Sequence, residues 1–390
     1  MIGLFNDSFP PMLDGVALTV QNYAYWMHRK NQQVCVVTAK MPKHIDNTDY
    51  PVYRYASLPL WSRKPYRYGI PRLDYRFMRE IKDIPFSIIH VHCPFSSAQL
   101  ALEIARQKKI PLVATFHSKY KDDFERATHN KKIAEWMTKK VITFYEKADE
   151  VWIPQASVED TIRAYGYKGE VTVMDNGCDF VADEQNIESF KKQARASMNI
   201  PDDMPVFLFV GQHIWEKNTR LIIESLAAMK DEQFIMFFIG TGYAEREMRT
   251  MVVQYGLSSK VKFRGVISDR EQLKNYYAAA DLFVFPSLYD NAPLVVREAG
   301  ALHTPTLMIA GSTASKILTD NYNGFLTENS SEKMAARICG LVRSPQNMKQ
   351  AGKNAARTVV RSWENITEEV LQRYSQILNK YATNASNTCI

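Results

Sequence analysis

The chain lacks any apolar run of bilayer-crossing length. Its longest stretches, such as Phe234–Ile239, are a few residues long, against the roughly 20 that a spanning helix needs, so no transmembrane helix is expected. Cysteine is scarce. Cys35, Cys93, Cys178, Cys339 and Cys389 are scattered with no Cys-x-x-Cys spacing, which argues against a zinc site or a disulfide framework and points to a reducing, cytoplasmic compartment. The opening MIGLFNDSF has no basic region followed by a long apolar run, so it reads as a first strand and not as a secretory leader. With 46% hydrophobic and 23% charged residues, the composition is that of a globular protein and not of a disordered or fibrous one.

At 390 residues the chain exceeds what one core usually organises, and two domains are expected. Short β-branched or aromatic patterns alternate with longer helical ones from end to end, the mark of parallel sheets wound with crossover helices. Ile2–Phe5, Gln33–Thr38, Ile88–Val91, Leu112–Thr115, Glu150–Ile153 and Val171–Met174 read as strands of a first unit. The rhythm restarts with Val206–Val210, Ile235–Ile239, Val261–Phe263, Leu282–Phe285 and Thr306–Ile309. Turn formers and a charged helical stretch over Asn176–Asp203 break the pattern and place the seam. The expected domains are therefore 1–178 and 179–362, each Rossmann-like. An amphipathic helix, 363–381, is expected to return across the seam to the first domain, with a frayed polar tail at Thr383–Ile390.

The net charge of +7 suits several kinds of anionic partner, and its distribution says more than its sum. Between Trp61 and Lys82 seven basic residues meet two acids, interleaved with Trp61, Tyr66, Tyr68, Tyr75 and Phe77. A solvated face with partly buried aromatics, and a patch for an acceptor or an anionic membrane surface, explain this equally well. No recognition module for nucleic acid accompanies the charge.

In open parallel sheets ligands bind beyond the carboxyl ends of the strands, so the loops there carry the functional reading. After the first strand, Gly15 opens a helical pattern; a residue without Cβ lets a phosphate approach the helix's free N–H groups, although easing a loop into a helix explains it as simply. Past Leu112–Thr115 comes Phe116-His117-Ser118, where His117 can bond a sugar hydroxyl or phosphate. His90 and His92 read as packing or cleft-lining residues, and no acid at ligand spacing makes the three histidines a metal site. In the second half Gly211-Gln212 and Lys217 lie between a strand and a helix, a phosphate cradle without P-loop spacing. After Leu282–Phe285 comes Asp290-Asn291-Ala292, then a helix starting near Pro293, with Glu298 more than a turn inside it and free N–H groups at Leu294 and Val295. A capping role for Asp290 and a helix salt bridge for Glu298 are the plainer alternatives.

Taken in order, these residues resemble the GT4 family of retaining glycosyltransferases over nearly the whole chain. That family carries two glutamates separated by seven residues; here Asp290 and Glu298 keep the spacing, with Asp in the first place. The resemblance extends to Gly15, His117, the Gly240-Thr241-Gly242 turn, the Phe263–Val266 segment beside the base pocket and the Trp363 helix. It implies the GT-B fold, two Rossmann-like domains facing across a cleft. It also implies that opposed helix starts from the two halves hold one donor diphosphate.

By the same resemblance His117, Lys217, Asp290 and Glu298 are the catalytic set. Glu298 would take the nucleotide ribose, Asp290 the donor sugar and Lys217 the diphosphate. Gly15, Gly211, Gln212, Gly242, Val266, Asn291, Ala292, Leu294 and Val295 would complete the donor site. Similar proteins carry an arginine where Gln212 stands, so one cation is missing, a loss of roughly 1 to 2 kcal/mol in diphosphate binding; Arg297 is a candidate to replace it. No Asp-x-Asp occurs, so no metal and no cofactor are expected. The implied activity is same-face transfer of a hexose from a UDP- or GDP-sugar to a glycan, lipid-linked or glycerolipid acceptor, at the inner face of a membrane. A sugar-nucleotide epimerase and a non-catalytic nucleotide-sugar binder are the rival readings.

Overall fold

The computed structural model describes residues 1–12, 14–60, 66–180 and 186–387, with side chains described as far as 383. Two compact units result: Met1–Asn176 with Trp363–Ile390, and Gly177–Ser362. The boundary lies two residues before the expected 178/179. Cys178 already belongs to the second unit, where its N–H donates to the Arg361 carbonyl at 2.8 Å and it bridges to Ser362.

The first unit contains β1 (Ile2–Phe5), β2 (Val34–Ala39), β3 (Val52–Tyr55), β4 (Ser57–Pro59), β5 (Arg67–Gly69), β6 (Ile88–Val91), β7 (Leu112–Thr115), β8 (Glu150–Ile153) and β9 (Val171–Val173). Its main sheet runs β3-β2-β1-β6-β7-β8-β9, and β4 and β5 form a separate pair. All main-sheet pairings are parallel. Strands such as β2, Val-Cys-Val-Val-Thr-Ala, are buried along their whole length, because crossover helices cover both faces of such a sheet.

The second unit contains β10 (Val206–Val210), β11 (Ile235–Ile239), β12 (Val261–Phe263), β13 (Leu282–Val284), β14 (Thr306–Ile309) and β15 (Phe325–Thr327). It is ordered β12-β11-β10-β13-β14-β15, again all parallel. The strand order reverses between β10 and β13. A crevice opens at such a point beyond the strand ends, and there the loops carrying Lys217 and Asp290 meet.

Four strands escape the sequence reading. β3 is a half-exposed strand at the edge of its sheet, while β4, β5 and β15 have three residues each, too few to show a period. The closing helix, Trp363–Asn387, also outruns the expected 381 and includes most of the tail read as frayed; residues 388–390 lie outside the described residues.

That helix packs within the first unit. Trp363, Ile366, Val370, Tyr374 and Ile377 are buried, a stripe at helical spacing. Trp363 meets Tyr23 edge-on at 5.7 Å, and Arg373 grips Glu150 at 2.7 and 2.9 Å. The Tyr374 hydroxyl lies 2.6 Å from His90 Nδ1, whose Nε2 is 2.7 Å from Thr115 Oγ1. His90 is fully buried, so Tyr374→Phe strands a polar atom in the core. Urea denaturation is expected to show a loss of about 1–3 kcal/mol, and an unchanged midpoint would contradict the importance of this bond.

Candidate active site

In the second unit the loop after β10 is shaped by close backbone contact with the turn after β11. The His213 N–H donates to the Thr241 carbonyl at 2.9 Å and the Ala244 N–H to the His213 carbonyl at 3.0 Å. A Cβ on Gly240, where φ is +126°, would lie 2.0 Å from the Gly211 carbonyl oxygen, and one on Gly242 would lie 2.2 Å from that of His213. Only glycine permits this approach. His213 is buried, with Nδ1 3.2 Å from Glu245 Oε2. Burial lowers its pKa more than Glu245 raises it. Gln212 is exposed.

Lys217 ends a short 3-10 turn, Trp215–Lys217, ahead of the helix Thr219–Ala228. Its Nζ reaches both carboxylate oxygens of Asp290, at 2.6 and 2.7 Å, and lies 5.3 Å from the centre of the Phe285 ring. The two residues expected to touch diphosphate and sugar are thus partners of each other. The Tyr289 and Asp290 N–H groups both donate to Ser287 Oγ at 3.3 Å, which sets the loop. The helix Leu294–Ala301 then begins one residue after Pro293 and has no side-chain cap, so its first N–H groups, at Leu294 and Val295, have no intrahelical acceptor.

Glu298 does not meet Asp290's partner. It is buried; Oε1 accepts from Arg270 Nη2 at 2.7 Å and Oε2 from the Tyr277 hydroxyl at 2.7 Å. Arg270 also grips Asp179 at 2.6 and 3.0 Å. Burial opposes the charge on Arg270, but the Glu298 and Asp179 carboxylates outweigh it and raise its pKa. The sequence reading misses Arg270, Tyr277 and Asp179, because no local spacing links them to Glu298. Arg297 does not replace the cation missing at Gln212: it is buried and donates to the Val359 carbonyl at 2.9 Å. Asn291 is buried, Ala292 is partly exposed, and Val266 stands exposed after β12, next to Gly265 with φ +68°.

In the first unit Gly15 opens the helix Gly15–Arg29, but Asp14 caps it, accepting from the Ala17 N–H at 2.8 Å. A carboxylate already stands at this helix start, which makes it a poorer place for an anion than the uncapped start at Leu294. His117 Nε2 lies 3.1 Å from His92 Nδ1, with the rings stacked. The His92 ring lies tilted against that of His90, centres 4.1 Å apart, and both residues, read as packing or cleft-lining, are buried. Among the described residues no three His, Cys, Asp or Glu side chains group as a metal site.

Although His117 keeps partial exposure, the protein packed around it lowers its pKa to about 3. The folded value lies below the unfolded value of about 6.5, so the neutral ring's contribution is full above pH 6.5 and falls away as the pH drops toward 3. At pH 5 the loss is about 2 kcal/mol. Asp7 and Asp14, whose pKa values burial raises, act in the opposite sense, so the test is a difference. His117→Gln is expected to lose less stability than the wild type between pH 7.5 and 5, and equal losses would contradict the assignment.

Two family models match the chain. One, described as Glycosyl transferases group 1, matches residues 190–358; the other, Glycosyltransferase Family 4, matches residues 13–181. The chain is 25% identical over 350 residues to the alpha-monoglucosyldiacylglycerol synthase of Streptococcus pneumoniae, covering 88% of this chain and 79% of that one. It is 23% identical over 410 residues to the enzyme of the same name from Acholeplasma laidlawii, covering 97% and 99%. Among solved structures, the sucrose-phosphate synthase of Thermosynechococcus elongatus superimposes with a TM-score of 0.78 at 20% identity, covering 97% of this chain and 99% of that one. Two Rossmann-like units, each matched by a glycosyltransferase family model, define a glycosyltransferase of the GT-B fold. The chain belongs to the GT4-type family of these enzymes.

Proposed function

We propose that this glycosyltransferase moves a hexose, with retention of configuration, from a UDP- or GDP-linked donor to a glycerolipid or lipid-linked glycan, without a metal ion. The observation that carries the reading is Lys217, held by Asp290 beside the uncapped helix start at Leu294 and Val295. Two of the ammonium's three N–H donors are spent on Asp290, and the third is left for a phosphate oxygen. As the glycosidic bond to the diphosphate breaks, negative charge grows on the leaving phosphate, and Lys217 and the helix N–H groups stabilise it without reorganising. The acceptor hydroxyl attacks the anomeric carbon from the face the diphosphate leaves and gives its proton to a departing phosphate oxygen. Asp290 orients the donor sugar's hydroxyls, Glu298 the ribose.

The acceptor class rests on two supports. The relatives from Streptococcus pneumoniae and Acholeplasma laidlawii are named for a glucosylated diacylglycerol. In addition, the helix Lys131–Tyr145 exposes Lys131, Lys132, Lys139 and Lys140 together with Ile133 and Trp136, and Lys140 Nζ lies 3.7 Å from the centre of the Trp136 ring. Cations flanking an exposed indole suit an anionic lipid surface. The basic segment that begins at Trp61 adds exposed Tyr68, Leu73 and Tyr75, whereas its Phe77 is core; residues 61–65 lie outside the described residues. Among the described residues no helix is long and apolar enough to cross a membrane.

The test is a panel of UDP- and GDP-hexoses offered with diacylglycerol in vesicles, with and without anionic lipid. Glycolipid and free nucleoside diphosphate are expected, faster on anionic vesicles, and Lys217→Ala or Glu298→Gln should lower the rate by at least about 100-fold, or 2.7 kcal/mol. An epimerised nucleotide sugar formed without acceptor, or binding with no turnover, would overturn the proposal.

A further inference from the structure

Glu298 is a carboxylate taken out of water inside a helix. Such a charge is tolerated only if it is paired and hydrogen-bonded. Arg270 is the cation paired with it among the described residues, and Arg270 is itself fixed from three sides. One nitrogen donates to Glu298 and to Asp179, Nε donates again to Asp179, and the guanidinium lies 4.3 Å from the centre of the Phe180 ring. The Tyr277 hydroxyl pins the second oxygen of Glu298, and the Tyr277 ring meets Phe180 at 5.8 Å. With one donor on each oxygen the carboxylate cannot rotate, yet each oxygen can accept a second hydrogen bond. The arrangement leaves two acceptor positions with fixed directions, the requirement for reading a pair of neighbouring hydroxyls.

We infer that Arg270 is the positioning residue for Glu298: it holds the carboxylate turned so that the nucleotide's ribose hydroxyls complete its hydrogen bonds, while Asp179 holds the guanidinium in place. The inference rests on the donor-site reading given above. A lysine cannot reproduce it, since a point charge on a flexible stem does not span two carboxylates as a planar fork does.

Calorimetric binding of UDP and GDP, each compared with its 2′-deoxy and 3′-deoxy forms, at pH 6 and pH 8, tests it in the full-length protein. The wild type is expected to favour a ribonucleotide over its deoxy form by at least about tenfold at both pH values, and Glu298→Gln to lose that preference. In Arg270→Met the buried carboxylate without its counter-charge takes up a proton, so the preference should vanish at pH 6 and return in part at pH 8. Arg270→Lys should recover only a fraction, and Asp179→Asn, which spares the Arg270–Glu298 bond, should lower the preference about threefold while keeping the fold. A folded Arg270→Met or Asp179→Asn protein with full ribose preference at both pH values, beside a Glu298→Gln protein that has lost it, would overturn the inference and leave the donor site standing. A wild type that binds neither nucleotide would instead overturn the donor-site reading.

Discussion

The ion pair between Lys217 and Asp290 ties together the loops that follow β10 and β13, the two strands between which the order of the second sheet reverses. Both side chains are largely shielded from water, 14% and 17% exposed, so each needs the other. A second strap runs beside the pair, from Asn218 Nδ2 to the Pro286 carbonyl at 3.3 Å. Together they set the distance between a lysine and a helix start, and that distance decides whether both can reach one phosphate group. Asp290 lies on the loop itself and presents both oxygens to the ammonium.

Both cations of the site are matched by carboxylates before any ligand enters, Lys217 by Asp290 and Arg270 by Glu298 and Asp179. The excess positive charge of the chain, +7 overall, is therefore not concentrated there. In the proposed donor site the diphosphate would meet the remaining proton of Lys217 and the N–H groups of the uncapped helix, and Gln212 adds no charge. The glycine contacts between the β10 and β11 loops serve the same economy of distance: Gly240 and Gly242 bring main chain against main chain, so that loop shape does not depend on mobile side chains.

The rhythm of strands and helices was legible because long buried parallel strands carry it in their composition, as β2 and β10 do. The site loops were legible because each lies within a few residues of a strand end, and Asp290 and Glu298 keep a spacing that local reading can see. What the sequence hides are partners set by topology. Arg270 and Tyr277 meet Glu298, and Tyr374 meets His90, across long separations with no periodic signal. Short elements such as β15 are equally invisible. Charge is equally hard to place from sequence: Arg297 donates to the Val359 carbonyl, and Asp14 caps the helix that Gly15 opens.

Where a nucleoside diphosphate settles in the second unit is tested most directly by a crystal structure with uridine or guanosine diphosphate. The expected result is a phosphate oxygen within hydrogen-bond reach of Lys217 Nζ and of the Leu294 or Val295 N–H, with ribose hydroxyls on Glu298. A nucleotide lodged elsewhere, with Lys217 and Asp290 still bound only to each other, would contradict it.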